Sequence, residues 1–166
     1  PGDCDQGDFP RDTWPVTDDG QVQMATDPLD LSSIDAAAIG DNILPGGTSI
    51  GHVHLEVSSL DSFEKVYTDT LGFEMQAAVR GARFVAAGGY HHHVGANTWN
   101  DRTSPGDGRG LEWFEVVLPA TSDLDDVLQR IRSSDSSIGE PDEREEGFAV
   151  TDSDGIQIRF VADRVQ

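Results

Sequence analysis

The feature that most constrains the fold is an order of elements that occurs twice along the chain. Residues 50–59 (IGHVHLEVSS) alternate apolar and polar side chains, which predicts a strand with one buried face. Apolar residues then recur at helical spacing, which predicts an amphipathic helix capped by Ser59. Short strands are predicted next at 73–79, 83–88 and 91–99, so the first unit contains a strand, a helix and three strands.

The second occurrence begins with another alternating segment. Residues 110–119 (GLEWFEVVLP) predict a strand, and the apolar spacing after it predicts a helix capped by Thr121 or Ser122. Strands are predicted at 145–151 and 156–162, with a Ser-Asp-Gly turn between them. The order of elements supports an internal repeat better than the weak sequence identity between the two units does.

The repeat predicts an α+β fold of two βαβββ modules, at about 50–105 and 106–166, in one domain over 50–166. Each predicted helix has one apolar face, which must be buried against a sheet. We therefore expect the sheets to wrap around a shared cavity as an open, cup-shaped, incomplete barrel with the helices outside.

The first 49 residues have a different character. Residues 1–49 begin with a segment rich in Gly, Pro and Asp that lacks an apolar period, which predicts a leader packed against the main domain. Within it, a short strand is predicted at 21–24 and a short helix near 32–39. Because the chain starts at Pro1 without an initiator methionine, we expect it to be a fragment of a longer protein.

The charge balance excludes one class of partner. The chain has 31 acidic and 11 basic residues, a net charge of −20. Such a surface repels phosphate, so we exclude nucleic acids. The acidic residues are dispersed among periodic apolar ones, which argues against disorder. We interpret them as a solvated surface of a halophilic protein, and an acidic face for a basic partner is the alternative.

The distribution of apolar residues excludes a second class of partner. No apolar run approaches the length that spans a membrane and no signal peptide opens the sequence, so we expect no membrane partner. Cys4 is the single cysteine and cannot form an internal disulfide, which is typical of a cytoplasmic protein.

The run AGGYHHHVGANTWN (87–100) contains several side chains that can bind a metal or act in catalysis. If strand alternation continues through it, every second residue faces the cup, together with the polar face of the first strand. His92 then lies on the opposite face, as a core or hydrogen-bonding residue. The side chains expected to face the cup are His52, His54, Glu56, His91, His93 and Asn97.

Three interpretations of this histidine cluster stay open. The histidines form a buried, hydrogen-bonded network, or they bind a divalent metal, or they line a polar pocket that holds a ligand without metal. The metal hypothesis uses His52 with His91 or His93. The full set of candidate ligands is His52, His91, His93 and Glu56, and the candidate catalytic side chains are His54 and Asn97.

The ordered motifs resemble those of a known family. GHVHLEV, a helix ending in LGF, GARFVAAGGYHHHVGANTWN, GLEWFEVVLP and TDSDGIQIRF together resemble the vicinal oxygen chelate superfamily. This superfamily includes glyoxalase I, extradiol ring-cleaving dioxygenases and bleomycin-resistance proteins. The resemblance is strongest to the C-terminal half of catechol-2,3-dioxygenase-like proteins, and the leader resembles the connector that follows their first half.

The resemblance implies both a cofactor and partners. Ring-cleaving members hold Fe(II) with two histidines and one glutamate and leave positions open for catecholate and oxygen. Fe(II) or another divalent metal is therefore the implied cofactor, with a metal-free protein as the alternative. The implied partners are a small aromatic, catechol-like molecule, an upstream module of the same parent chain and a second copy of the chain in a homodimer.

Each position at which the family has an iron ligand can be matched to a residue of this chain. His52 stands where the first histidine is expected. Leu111 stands where the second is expected, and Arg159 stands where the glutamate is expected. The resemblance thus implies half of an extradiol dioxygenase that is itself catalytically degenerate. A metal-free binding or resistance module and a glyoxalase-like, metal-dependent lyase are the alternatives.

Overall fold

The structure, a computed structural model, describes residues 16–20, 31–32, 50–106 and 108–163. The strand predicted at 21–24 and Cys4 lie outside these residues. So does the helix predicted at 32–39, apart from its first residue, which is helical.

The first sheet contains the strands β1 (Val53–Glu56), β2 (Glu74–Val79), β3 (Ala82–Ala86) and β4 (Val94–Asn97). Their order is β1-β4-β3-β2. β1 and β4 run parallel, and the other neighbouring pairs are antiparallel. The prediction of four strands here is confirmed, but the last one is shorter than the predicted 91–99. This difference decides where the three histidines lie, because all of them precede β4.

The helix of this unit changes its hydrogen-bonding pattern along its length. It begins as α1 (Leu60–Phe63) and continues as a π-helix over Glu64–Thr70. Ser59 caps it as predicted, since its Oγ accepts a hydrogen bond from the backbone N–H of Ser62 at 3.2 Å. The Leu71 N–H donates to the carbonyl five residues earlier, as a π-helix requires.

The second sheet repeats the first. Its strands are β5 (Trp113–Leu118), β6 (Asp142–Arg144), β7 (Gly147–Thr151) and β8 (Gln157–Ala162), in the order β5-β8-β7-β6. β5 and β8 are again the parallel pair. The repeat order predicted from the sequence is confirmed. Neither sheet closes into a barrel among the described residues, so the α+β, open-cup architecture is also confirmed.

The second helix, α2 (Thr121–Ser133), begins one residue earlier than the predicted cap requires. Neither Thr121 nor Ser122 caps it, because both are already inside the helix. Asp123 instead reaches back and accepts a hydrogen bond from the Ala120 N–H at 3.0 Å. A carboxylate in the first turn satisfies a backbone donor and also interacts favourably with the helix dipole.

One hydrophobic core spans both units, because each helix packs its apolar face against the outer face of the sheets. The buried residues from the first unit are Leu55, Val57, Phe63, Val66, Tyr67, Leu71, Val85, Val94 and Ala96. Those from the second are Leu124, Val127, Ile131, Phe148, Val150, Ile158 and Phe160. The opposite, concave face of the first sheet carries a smaller apolar cluster of Ala77, Ala82 and Phe84 beside its polar residues, and the candidate site lies where β1 and β4 begin.

Buried polar contacts also join the two units. The Tyr67 hydroxyl donates to an Asp152 carboxylate oxygen at 2.9 Å, and the Ser58 N–H donates to Asp154 Oδ1 at 2.9 Å. Arg102 lies 3.5 Å from the same Asp154 oxygen. Burial and the Asp152 carboxylate raise the pKa of Tyr67 well above 10.0, and burial raises the pKa of Asp152. No helix among the described residues is long and apolar enough to span a membrane.

Candidate metal centre

The parallel pairing of β1 and β4 brings together two separate parts of the sequence. Val53 pairs with Val94, and the Val53 N–H donates to the His93 carbonyl at 3.0 Å. Because parallel strands begin at the same edge of a sheet, the residues just before them are neighbours. His52 precedes β1, and the three histidines of the run precede β4, so all four lie at this edge.

Three of these histidines converge. His52, His91 and His92 each offer a ring nitrogen, and the three nitrogens lie within 4.8 Å of one another. The ring centroids are 4.4 Å apart for His52 and His92, 6.1 Å for His52 and His91, and 4.2 Å for His91 and His92. His91 and His92 are both 0% exposed. The structure thus brings together His52 and His91, as the sequence predicts.

The predicted face of His92 is wrong, although its predicted place in the core agrees with its exposed fraction of 0%. The sequence-based alternation places it on the face opposite His52, whereas its ring packs against that of His52. Alternation applies only within a strand, and β4 begins at Val94, after the last histidine. The signal that could have found His92 is the parallel pairing of the first and last strands of the unit, β1 and β4, which places residues 52 and 92 at one end of the sheet regardless of side-chain parity.

His93 lies outside this group. Its Nδ1 accepts a hydrogen bond from the Ala87 N–H at 3.2 Å, and its ring stacks on Tyr90 with centroids 4.5 Å apart. Its own N–H donates to the Val85 carbonyl at 2.8 Å. These contacts tie the loop before β4 to β3, so the described contacts give His93 a role in holding the loop.

His54 faces the concave side, as predicted, and lies over β4. A Cβ at Gly95 would be 2.9 Å from its Nδ1, so any larger residue at position 95 would displace the imidazole. The ring also contacts Trp99 and Phe84, with centroids 5.5 and 5.8 Å away. The absence of a side chain at Gly95 is therefore what allows His54 to lie flat on the sheet.

Asn97 and Glu56 are engaged by neighbours in the first unit. The Asn97 amide donates to the Leu55 carbonyl at 3.5 Å and accepts from the Trp99 N–H at 3.1 Å. Glu56 accepts a hydrogen bond from the Asn100 amide at 2.8 Å. Neither side chain belongs to the converging group that the described residues form, so this group contains imidazoles and no carboxylate.

The equivalent face of the second sheet has a different chemistry. Leu111 is 46% exposed. The Arg159 guanidinium carbon lies 3.7 Å from the centre of the Trp113 ring, a cation–π contact, and its Nε donates to the Gln157 amide oxygen at 2.7 Å. A leucine cannot ligate a metal, and a guanidinium is permanently positive.

A shallow cleft of about 310 Å³ opens beside Arg159. Glu115, Arg144 and Glu146 contribute polar groups to it, and Phe148 and Phe160 form its apolar side. The cleft lies on the second unit and is lined by none of the three converging histidines.

A family model for the Glyoxalase/Bleomycin resistance protein/Dioxygenase superfamily matches residues 49–160. The chain belongs to this superfamily. The match spans both βαβββ units, so the resemblance inferred from the motifs is confirmed.

Within the superfamily, the chain is 40% identical over 162 residues to a catechol-2,3-dioxygenase from Bacillus subtilis (strain 168). The match covers 93% of this chain and 56% of that protein, so the chain spans about half the length of this relative.

Solved structures with the same fold are more distant in sequence. A glyoxylase/bleomycin resistance protein/dioxygenase domain from Frankia sp. EAN1pec matches with a TM-score of 0.53 and 21% identity, over 70% of this chain and 98% of that one. A lactoylglutathione lyase from Agrobacterium tumefaciens matches with a TM-score of 0.53 and 15% identity, over 71% and 96%. These similarities show the fold alone.

The residues present do not fit the iron centre of ring-cleaving members. That centre needs two histidines and a carboxylate on one face. At the positions expected from the resemblance, His52 is followed by Leu111, which is exposed, and by Arg159, which stacks on Trp113. The superfamily fold is retained, and the described donors nearest to His52 are imidazoles.

Proposed function

We propose that this chain is half of an extradiol dioxygenase-like protein that acts on a small aromatic, catechol-like molecule, and that this half does not itself cleave the ring. The 40% identity to a catechol-2,3-dioxygenase supports the first statement. The second is supported by one feature of the sequence, which is that Leu111 and Arg159 stand where the resemblance leads us to expect two of the three ligands.

The electrostatics of Arg159 strengthen this argument. Two unit charges in contact at about 4 Å interact by roughly 4 kcal/mol at an effective dielectric constant of 20, and a divalent ion doubles that repulsion. Gln157 and Trp113 hold the guanidinium at this position. We therefore expect Fe(II) to be excluded from this side of the cup, and Arg159 to act as a structural cation.

The proposed role of this half is to support the fold and to cover a working site in the upstream module. The candidate catalytic residues His54 and Asn97 then serve packing. His54 lies between β4 and Trp99, and Asn97 bonds the backbone of β1.

The test is an anaerobic Fe(II)-loading experiment with the purified chain, followed by catechol and oxygen. We expect no yellow ring-opened product. The double variant Leu111→His with Arg159→Glu should bind Fe(II) more tightly than the unmodified chain, while Leu111→Ala with Arg159→Ala, the matched control, should not. Ring cleavage by the unmodified chain, lost on chelation, would contradict the proposal.

A metal-free binding module is the second candidate, and the cleft of about 310 Å³ beside Arg159 supports it. Its size suits a small molecule, and Arg159 with Phe148 and Phe160 offers a cation and aromatic rings together. A titration with catechol followed by Trp fluorescence separates the two candidates, since Arg159→Ala should abolish binding in this cleft only. The glyoxalase-like lyase has less support, because it needs two carboxylates in the cup.

A further inference from the structure

The geometry points to a three-histidine site for a divalent metal, formed by His52, His91 and His92. The ligand nitrogens lie within 4.8 Å of one another. A four-coordinate zinc ion holds nitrogens at about 2.0–2.1 Å, which places them about 3.4 Å apart. Side-chain rotations that close each pair by about 1.4 Å or less therefore assemble three ligands of such an ion.

The backbone holds these donors in place before any metal arrives. His52 is attached to β1, and the loop carrying His91 and His92 leads directly into β4. These two strands are hydrogen-bonded neighbours in fixed register, Val53 with Val94. A site whose ligands lie directly beside two paired strands is held more exactly than one on free loops.

Burial is the second observation that favours a metal. His91 and His92 are 0% exposed, so bulk water does not compete at these two ligand positions. Hydrogen bonds from the protein are compatible with the site, because a metal-bound imidazole uses one nitrogen and donates from the other. The rings of Phe84 and Tyr90, with centroids 5.1 and 4.5 Å from His92 and His91, border the group and limit the access of water.

The donor chemistry selects the class of metal. Three neutral imidazoles suit Zn²⁺, Co²⁺, Ni²⁺ and Cu²⁺, whereas Mg²⁺ and Ca²⁺ prefer oxygen ligands. His52 is only partly buried, which leaves an approach from solvent. This site shares only His52 with the ring-cleavage positions, so it stands whether or not the parent protein cleaves catechols.

The first experiment uses the tag-free, chelator-treated chain. Titration with Co²⁺, followed by its visible absorption, and with Zn²⁺, followed by calorimetry, should give one equivalent bound. His92→Gln and His52→Gln should each weaken binding by about 100-fold or more, which exceeds the usual effect of losing an outer-shell partner.

The histidine run supplies its own control. His93→Gln removes an imidazole that holds the same loop but lies outside the group, so it should weaken binding by about 10-fold at most, well below the loss in His92→Gln. Equal affinity in His92→Gln and the unmodified chain would overturn the site, and so would an equal loss in His93→Gln.

A second measurement covers the case in which a variant does not fold. Zn²⁺ added to the unmodified chain should raise its melting temperature, because a ligand that binds only the folded state stabilises it. X-ray absorption of the zinc-loaded chain should show three imidazole nitrogens. Absence of a shift, or a zinc shell dominated by oxygen, would overturn the proposal. Zinc binding without ring cleavage would support it and leave the proposed function intact.

Discussion

The two βαβββ units share one topology but differ in charge and in what lies on the concave face. Residues 50–105 contain six acidic and four basic residues, whereas residues 106–166 contain fifteen acidic and six basic ones. In the first unit β4 is buried along its whole length, whereas its counterpart β8 is half-buried at four of its six residues. Duplication of a fold therefore fixes the strand order and leaves the chemistry of each concave face free to diverge.

The difference in burial has a direct physical consequence. In the first unit, the loop before β4 covers the sheet edge, so imidazoles become interior groups. In the second, the concave face stays in contact with water, and its charged residues need no buried partners. One unit thus offers a site for a metal or a polar network, and the other an acidic surface with a shallow cleft.

The largest expected effect is a loss of stability that should differ between the two faces of the second sheet. Phe160 is 2% exposed and lies in the core, whereas Val117 in the neighbouring strand is 57% exposed. Phe160→Ala should lower the free energy of unfolding by about 3–5 kcal/mol, because it removes a buried ring and leaves a cavity. Val117→Ala should change it by less than about 0.5 kcal/mol. Urea unfolding measures both, and similar losses would mean that the concave face is covered.

The next prediction concerns the polar contact between the units. Tyr67→Phe removes the hydroxyl that donates to Asp152, which should cost about 1–3 kcal/mol. The raised pKa of Tyr67 also makes a pH-dependent contribution to the free energy of unfolding. The unfolded chain loses its tyrosine proton above pH 10.0 while the folded chain keeps it, so this stability is present below pH 10.0 and falls as the pH rises further.

Urea unfolding at a series of alkaline pH values checks this contribution. The unmodified chain should lose stability more steeply above pH 10.0 than Tyr67→Phe does. Tyr90→Phe, which changes a half-buried tyrosine outside the core cluster, is the control and should keep the steep slope. If the stability of the unmodified chain and of Tyr67→Phe falls equally with pH, Tyr67 is not the source of this pH dependence.

The smallest expected effect per residue comes from the acidic surface. Salt screens repulsion between exposed charges, so KCl should raise the melting temperature. Because the second unit has the larger excess of acidic residues, we expect low salt to destabilise it before the first unit. Hydrogen exchange in low and molar KCl should show amides of β6 and β7 losing protection before those of β3 and β4. A melt unaffected by KCl, or uniform loss of protection, would argue against a surface adapted to salt.

Much of the fold could be predicted because each element carries a local signal. Alternation marks β1 and β5, helical spacing marks both helices, and the recurrence of these signals gives the repeat. The π-helical segment Glu64–Thr70 could not be predicted, because its apolar spacing also fits an α-helix. The start of α2 was misplaced because Asp123 reaches back to the backbone, which makes a polar cap residue unnecessary.

The site was predictable only in part. Of the side chains that the sequence marks for one cup, the structure brings His52 and His91 together. His92 was assigned to the wrong face because the prediction extended β4 by three residues, and side-chain parity is lost outside a strand. The roles assigned to His93, Glu56 and Asn97 remain predictions, although the structure places these residues outside the converging group.

The contacts between the units have a consequence for how the chain can be cut. The connection over 103–106 and 108–111 is exposed, whereas Tyr67, Ser58 and Arg102 reach across to carboxylates in the turn after β7. The two units are therefore held together by buried contacts and not by the covalent connection between them. A chain severed in this connection should reassemble from its two fragments, and a circular permutant opened there should keep the fold. Neither fragment alone should be stable in isolation, since each would expose half of a shared core.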